Sequence, residues 1–595
     1  MSMSSVRIGA YGGYYGDRRG AMGDFRDEKV DFLIADYLAE LTMLVLGKNM
    51  ERGKVGYADG FVEELRASIG WIAQQGVTVV TNAGGLDPVS CAQAIRQVCR
   101  EEGVDLPVAA VHGDNLKSHL LAEGRNRPLL HLDTGEPLPV DVDEIITANA
   151  YLGAGGVVAA IDRGARIVVT GRVTDAVLVL APAMAHFGWA TDDYDALAGG
   201  VAVGHAIECG AQATGGSYAF FDREGDLGLP GMPIAEVFED GSSVVTKVSG
   251  TGGVVNTDTV LAQMVYEVTS GYYHNPDVVV DWNSIELHDL GDDRVKISGV
   301  RGLVPTSTTK LSLSYHGGYR NQMTLGMTGL NQQKKLRWIT DQLHDYLGDE
   351  STFEAFDISV IGGDQPDPDS YGSATAWAIV AARDSNRERV GRAEFSDRIV
   401  ELGISSIPGL YFTTPPSSPR QIGVQWPCLV PKADVPIRVD LEDEHFAVPW
   451  GPSSDEPLPE HQATATEPVS SIDHEPWRTM PLGELIGARS GDKAGVANLG
   501  VWAQTDEAWT WLRSWLTTEC LESLLPEVKG LGIQRYEFPK MRAMNFVIQG
   551  FLDRGVSQTL RFDPQAKGLG EYLRAKVVPI PEALADQAGR HARRD

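Results

Sequence analysis

The sequence predicts an α/β protein: a mostly parallel β/α N-terminal domain with an α+β lobe, then a small C-terminal α+β domain. Three observations carry this. Short buried strand patterns at 6–10, 77–81, 108–111 and 165–170 end in polar or glycine-rich turns, most of them feeding helices. From about 230 to 330 the pattern changes to alternating strands. Residues 453–476 are rich in Pro, Ser, Glu and Asp with little apolar pattern, which marks a linker. The expected division is therefore 6–450, with the lobe at 230–330, a linker at 451–481 and a terminal domain at 482–581.

The elements follow in order. The first strand, 6–10, runs into Gly12, Gly13 and Gly16 and then Asp17 and Arg18. Counted from Gly9 the spacing is G-x-x-G-G-x-x-G, not the dinucleotide fingerprint G-x-G-x-x-G. Such a turn offers a backbone cradle for a phosphate or carboxylate, or is a plain flexible turn. Residues 31–43 read as a strand running into a helix, or as one helix. Residues 61–75 form an amphipathic helix ended by Gly76. The strand at 77–81 leads to Asn82, Ala83, Gly84 and Gly85, and Pro88 opens a helix through Arg100. The strand at 108–111 is followed by His112, Gly113, Asp114 and Asn115. Residues 149–162 read as a helix interrupted by Gly153, Gly155 and Gly156. The strand at 165–170 ends in Gly171-Arg172-Val173-Thr174-Asp175, around which the chain is organised. Residues 197–216 are rich in small residues and carry Gly204-His205-Ala206-Ile207-Glu208-Cys209-Gly210.

After the linker, 482–488 and 497–502 read as strands around the charged turn Arg489-Ser490-Gly491-Asp492-Lys493. An amphipathic helix at 506–525 follows, then strands at 533–538 and 545–551, a short helix at 569–575 and a last strand at 576–580. This is a small sandwich of ferredoxin-like type. Its charged turn either binds an anion, reaches into the main domain's cleft, or is a surface turn with internal ion pairs.

Composition narrows the function classes. The chain has 595 residues, 81 acidic against 51 basic, and a formal charge of −30. That field repels phosphate backbones and anionic headgroups, so neither nucleic acid nor a membrane surface is an expected partner. No apolar run approaches the roughly 18 residues that span a bilayer. The five cysteines form no C-x-x-C pair, so neither a disulfide framework nor a zinc knuckle is expected. With no apolar signal core at the N-terminus, the expected location is the cytoplasm. The glycine-rich and apolar surfaces suggest a homo-oligomer.

In an open parallel sheet, ligands sit beyond the carboxyl ends of the strands. Asp175, His205 and Glu208 are therefore candidate catalytic residues, with His205 and Glu208 on one helix face at i and i+3. Arg18 and Arg172 are candidates for holding an anion, and Thr174, Asn82, Asp114 and Asn115 for polar contacts. The N–H groups of Gly84, Gly85, Gly215 and Gly216 are candidates for polarising a carbonyl. Each polar residue has a plainer reading as a helix cap, turn former or core histidine. H-x-x-E supplies only two ligands, too few to assign a metal. Cys209 as a nucleophile rests on proximity alone, because buried cysteines are usually inert.

These stretches resemble the acyclic terpene utilisation family. The matching residues are 9–18, Asp36-Tyr37-Leu38-Ala39-Glu40, Thr81-Asn82-Ala83-Gly84-Gly85, Gly171-Arg172-Val173-Thr174-Asp175, 204–210 and Thr214-Gly215-Gly216. The terminal part resembles the ferredoxin-fold module often attached to that family, through Ala488-Arg489-Ser490-Gly491-Asp492-Lys493 and Arg535-Tyr536-Glu537. That module usually has a glycine after the lysine, where this chain has Ala494. The resemblance spans about 6–450 and 482–581. It implies breakdown of branched acids of the citronellol and geraniol type, carried as coenzyme A thioesters, and it brings no settled catalytic residues.

The expected function is an enzyme acting on a branched acyl-coenzyme A or its acid by hydratase/lyase or isomerase chemistry. Coenzyme A enters as part of the substrate, and no separate cofactor is expected. One alternative is a non-catalytic binding or scaffold protein for the same ligands. Another is a metal-dependent lyase or hydrolase using His205, Glu208 and a distant carboxylate. A serine hydrolase is disfavoured because no G-x-S-x-G elbow is present.

Overall fold

The computed structural model describes residues 4–123, 128–348, 351–459 and 476–591. It divides into two compact units. The first holds residues up to 313, 427–551 and from 567 onward; the second holds 314–426 and 552–566.

The first unit is built on an eleven-stranded sheet. Its N-terminal elements are β1 (Ser5–Gly12), β2 (Phe32–Ala35), α1 (Glu40–Glu51), α2 (Asp59–Gln75), β3 (Thr78–Thr81), α3 (Pro88–Glu102), β4 (Val108–His112) and α4 (Lys117–Glu123). Then come β5 (Ile145–Ala150), α5 (Gly155–Asp162), β6 (Ile167–Thr170), α6 (Val177–Phe187) and α7 (Tyr194–Ile207). Five strands pair in parallel in the order β1-β2-β3-β6-β4. Their middle residues, such as Leu33, Val79, Val80 and Val168, are buried on both faces, as a helix-covered parallel sheet requires. Antiparallel strands extend both edges. On one side lie β7 (Pro233–Phe238), β8 (Ser243–Lys247), Val295–Ser298 and Glu286–Asp289. On the other lie Ile437–Leu441 and Glu444–Val448.

Two expectations need correction here. The strands after 230 are divided: four continue the main sheet, while Tyr272–His274, Val279–Asp281 and Arg301–Leu303 form a three-stranded sheet of their own. Alternation reports that a strand has one buried face, not which sheet it joins. The stretch 149–162 is not one helix: β5 takes Asn149 and Ala150, and α5 begins only at Gly155. The glycines serve packing there, since a Cβ on Gly156 would run into Val111 of β4. Residues 31–43 are a strand followed by a helix, with Asp36–Ala39 as the link between them.

The second unit has its own core. The stretch 319–328 pairs antiparallel with Thr375–Asp384, which pairs with Ala355–Ile361. Helix Gln332–Leu347 packs Ile339 and Leu343 with Leu325, Phe353, Phe356 and Phe395.

The terminal module, apart from 552–566, belongs to the first unit. Its antiparallel sheet runs in the order Ile486–Lys493, Val496–Ala503, Ala543–Ile548, Ile533–Phe538. Ala543–Ile548 lies between the two strands joined through helices, the split arrangement expected of a ferredoxin-like sandwich. The expected helix 506–525 is two helices, Asp506–Trp515 and Thr518–Leu524, because Thr517 caps the second by accepting from Cys520 N. The last strand, Val577–Pro581, pairs with Trp477–Pro481 instead of joining the four-stranded sheet. Part of the expected linker, 460–475, lies outside the described residues. No helix among the described residues is long and apolar enough to cross a membrane.

The module's sheet is seated on the chain that leaves α8 (Thr257–Met264). Asn498 and Asn545 both donate to the Val268 carbonyl, at 3.1 and 2.9 Å, and Asn498 Oδ1 accepts from Glu267 N at 2.8 Å. Trp502 Nε1 donates to Asp258 at 3.0 Å. Gly500 faces Val265 and Gly491 faces the Tyr266 ring, both too closely for a Cβ. Gly500→Val is therefore expected to destabilise the first unit by about 1–3 kcal/mol, the usual cost of overpacking, read as a lower melting temperature. At the hairpin tip Ala494 holds φ +56°, a left-handed conformation unfavourable to a Cβ. Ala494→Gly is expected to raise stability by roughly 1 kcal/mol in a denaturant titration.

Candidate functional site

The carboxyl ends of β2, β3, β4 and β6 bring Asp36, Asn82, Asp114, Arg172 and Asp175 to one edge of the sheet. β3 feeds α3, which shares a core with α2 on one face. β6 feeds α6, which packs with α5 on the other. The two outgoing loops part at this point, which is where such sheets open a crevice.

Two predicted polar residues tie the loops together. Asn82 is fully buried; its Nδ2 donates to Asp36 at 2.6 Å and its Oδ1 accepts from Tyr37 N at 2.7 Å. Asp114 accepts from Asn149 Nδ2 at 2.6 Å and from Arg172 N at 2.9 Å. Burial pushes its carboxyl up to about 6.

Arg172 is the centre of the cluster, with 3% of its side chain exposed. Its guanidinium donates to the Leu38 carbonyl and, at 2.9 Å, to Tyr151 OH, and lies over the Tyr151 ring. It pairs with Asp175 at 2.9 Å. Tyr151 OH donates to Glu40 at 2.7 Å, and Lys310 donates to the same oxygen at 2.8 Å. Glu40 is held well below the usual carboxylate range: Lys310 and Arg172 outweigh burial, the largest single effect, which acts upward. Asp175 differs. It stays 22% exposed, yet burial among protein charges pushes it up to about 6 against the pull of Arg172 and Lys493, with Glu208 adding to the rise. The Thr174 hydroxyl is buried beside it with no hydrogen-bond partner.

His205 and Glu208 do form a pair at 3.0 Å, but it is sealed: His205 is 1% exposed. Nε2 donates to the Gln263 carbonyl at 3.0 Å, so it keeps its proton. The Nδ1–Glu208 contact then needs a second proton between the two groups, and Glu208 holds the imidazole above its usual range despite burial. The ring stands edge-on to Trp282 and tilted against Tyr273. Neither nitrogen is turned outward toward a metal, and among the described residues no group of three His, Cys, Asp or Glu could hold one. Burial pushes the Cys209 thiol well up, so it stays protonated.

The charged turn of the terminal module packs on Glu267, Gln212 and Tyr266. Lys493, at the end of its first strand, pairs with Glu267 at 3.2 Å and is 32% exposed. Its ammonium charge acts on Glu40 and Asp175 and is held well above its usual range, chiefly by Glu267 against the cost of burial. Arg489 donates to Gln212 at 2.5 Å and stacks over Tyr266.

The remaining predicted residues sit elsewhere or are committed. Arg18 pairs with Asp24 at 2.6 Å, and Gly13 N–H is taken by Asp17 at 2.8 Å, so the chain's own carboxylate fills that cradle. Gly85, Gly215 and Gly216 donate their N–H groups within their own turns, to Asn82, Gln212 and Ala211. Gly84 is packed against Thr170 and Pro88. Asn115 is exposed and lines a separate cavity of about 400 Å³ with His112, His119, Asp434 and Arg438; Asp114 borders both this cavity and the charge cluster.

Residues 6–441 match the family described as acyclic terpene utilisation family protein AtuA. The chain belongs to this family. Residues 480–579 match the AtuA ferredoxin-like domain. No curated protein matches. In this AtuA-family chain the residues that sequence reasoning missed are Asp36, Glu40, Tyr151, Glu267, Tyr273 and Lys310. Asp36 and Glu40 are the two ends of the family-like stretch 36–40, which was a signal. Tyr151, Glu267, Tyr273 and Lys310 lie in segments read only as structural and carried none.

The raised carboxyls make a prediction about stability. Asp114, Asp175 and Asp277 sit at about 6 and Asp492 at about 7, against about 3.9 for an unfolded aspartate. The folded chain therefore binds more protons than the unfolded chain between these values, so stability rises as pH falls from 8 toward 5. The melting temperature is expected to be higher at pH 5.5 than at pH 8, and Asp175→Asn is expected to flatten that slope.

Proposed function

We propose that this protein is an enzyme of branched, acyclic terpenoid acid breakdown that acts on an acyl-coenzyme A thioester by acid/base chemistry, as a double-bond isomerase or hydratase. The observation that carries this reading is Asp175. It is the one acid on the Gly171–Asp175 turn, partly open, raised toward neutrality, and paired with the Arg172 guanidinium. A carboxylate so placed suits a general base near the working pH.

Asp175 would take a proton from the saturated allylic carbon next to the double bond of an enoyl thioester. The C–H electron pair moves into the conjugated system and gives an enolate, and return of the proton to a different carbon shifts the double bond. Arg172 is too buried to touch substrate; it fixes Asp175 and keeps its ionised form accessible. The sealed His205–Glu208 pair supports the wall of the site. The Thr174 hydroxyl beside Asp175 is buried and without a hydrogen-bond partner.

The test is turnover of geranoyl-, citronelloyl- and 3-methylcrotonyl-coenzyme A, followed by mass spectrometry and by isotope exchange from deuterated water. Asp175→Asn is expected to lower turnover by about 10²–10⁴-fold while binding stays within a few-fold. Wild-type kcat/KM should fall as pH drops below about 6, where Asp175 takes up its proton. A wild-type chain that binds the thioesters without exchange or turnover would favour the binding-protein alternative.

A further inference from the structure

We propose that the cavity beyond the end of β4 is a second ligand site, which takes a small carboxylic acid with an apolar body. The Arg438 guanidinium holds the carboxylate, and the walls at Leu86–Val89 and Leu116 cover the chain. The site is separate from Asp175 and does not rest on the acid/base reading of that residue.

The cavity holds about 400 Å³, the scale of a small-molecule site. Three segments of the first unit wall it: the loop into α3, the turn after β4, and the chain entering the strand Ile437–Leu441. Gly113 sets how closely the last two approach. It holds φ +108°, and a Cβ there would run into the Pro436 carbonyl. Arg438 and His112 are directly opposed where that strand pairs with β4. Their side chains therefore stand on one face of the sheet, and both line the cavity.

The charges select the ligand. Among the described residues the Arg438 side chain has no hydrogen-bond or ion-pair partner, and it is exposed at the rim. The other charged groups of the lining are engaged. Asp87 accepts from Ser90 N at 3.0 Å as the cap of α3. Asp114 accepts from Asn149 Nδ2 and from Arg172 N. His112 Nε2 lies 3.3 Å from Asp440. His119 and Asp434 also interact within the chain. The guanidinium is thus the cation left open, and its planar fork of donors matches a carboxylate. A dianion such as phosphate would gain that one cation while meeting three carboxylates, so a monoanion is the better fit. The rest of the lining is apolar: Leu86, Pro88, Val89, Leu116 and Pro436. A hydrocarbon body set against these side chains leaves water, while the head group stays with Arg438.

The test titrates the full chain at pH 7 by calorimetry with butanoate, hexanoate, octanoate and inorganic phosphate. Octanoate should bind tightest, with affinity rising about fourfold per methylene buried. Arg438→Gln should weaken octanoate about tenfold or more, and Arg438→Lys less. Because this side chain has no partner to lose, the melting temperature should not move in either variant. Val89→Gln, which puts an amide on the apolar wall, should flatten the dependence on chain length. Asp175→Asn should leave binding of all the acids unchanged. No heat from any acid up to millimolar concentration overturns the proposal, as does an affinity that Arg438→Gln leaves unchanged. Phosphate bound as tightly as octanoate also overturns it, because the apolar walls then contribute nothing. Binding lost in Asp175→Asn but kept in Arg438→Gln would place the acid at Asp175 instead.

Discussion

The buried Arg172 guanidinium is the constraint on which the rest of the site depends. A guanidinium taken out of water is costly unless carboxylates and acceptors surround it. Asp175, Tyr151 and the Leu38 carbonyl supply that surrounding, and each comes from a different loop. Holding those loops in turn requires Asn82 to fix the end of β2 and Asp114 to fix the backbone of Arg172 itself. The polar edge of the sheet is thus one connected network, and its members are specified by each other more than by any ligand.

That network explains why two carboxylates near one another behave oppositely. Glu40 sits where Lys310 and Arg172 outweigh burial and is held low. Asp175 has Glu208 behind it as well as Arg172 beside it, and burial wins. Environments that push similar groups apart are how one fold assigns different roles to them. The terminal module enters the same balance. Lys493 adds a further positive charge to it, and Asn498, Asn545 and Trp502 fasten the module with directional bonds to 258–268.

Much of the fold was legible because it rests on local chemistry. β3, α3 and β4 follow from a buried strand, an Asp87 cap before Pro88, and a second buried strand. The strands after 230 were recognisable, but their sheet was not, since edge pairing is a long-range choice. In the site, Arg172 and Asp175 could be read from a strand followed by polar residues. His205 and Glu208 were read as a pair, and they are one, but helical spacing cannot tell that α7 is buried all round. Tyr151 and Lys310 were unreadable: they reach Arg172 and Glu40 only because β5 and the strand after 308 fold back beside the sheet. Lys493 sat in a turn with three open readings, and the glycines at 491 and 500 decide among them by letting the module come close.

The most direct measurement is a crystal structure of the full chain with geranoyl-coenzyme A. The account predicts an allylic carbon of the acyl chain beside Asp175. A thioester lodged instead in the cavity of His112 and Arg438, with Asp175 untouched, would contradict it.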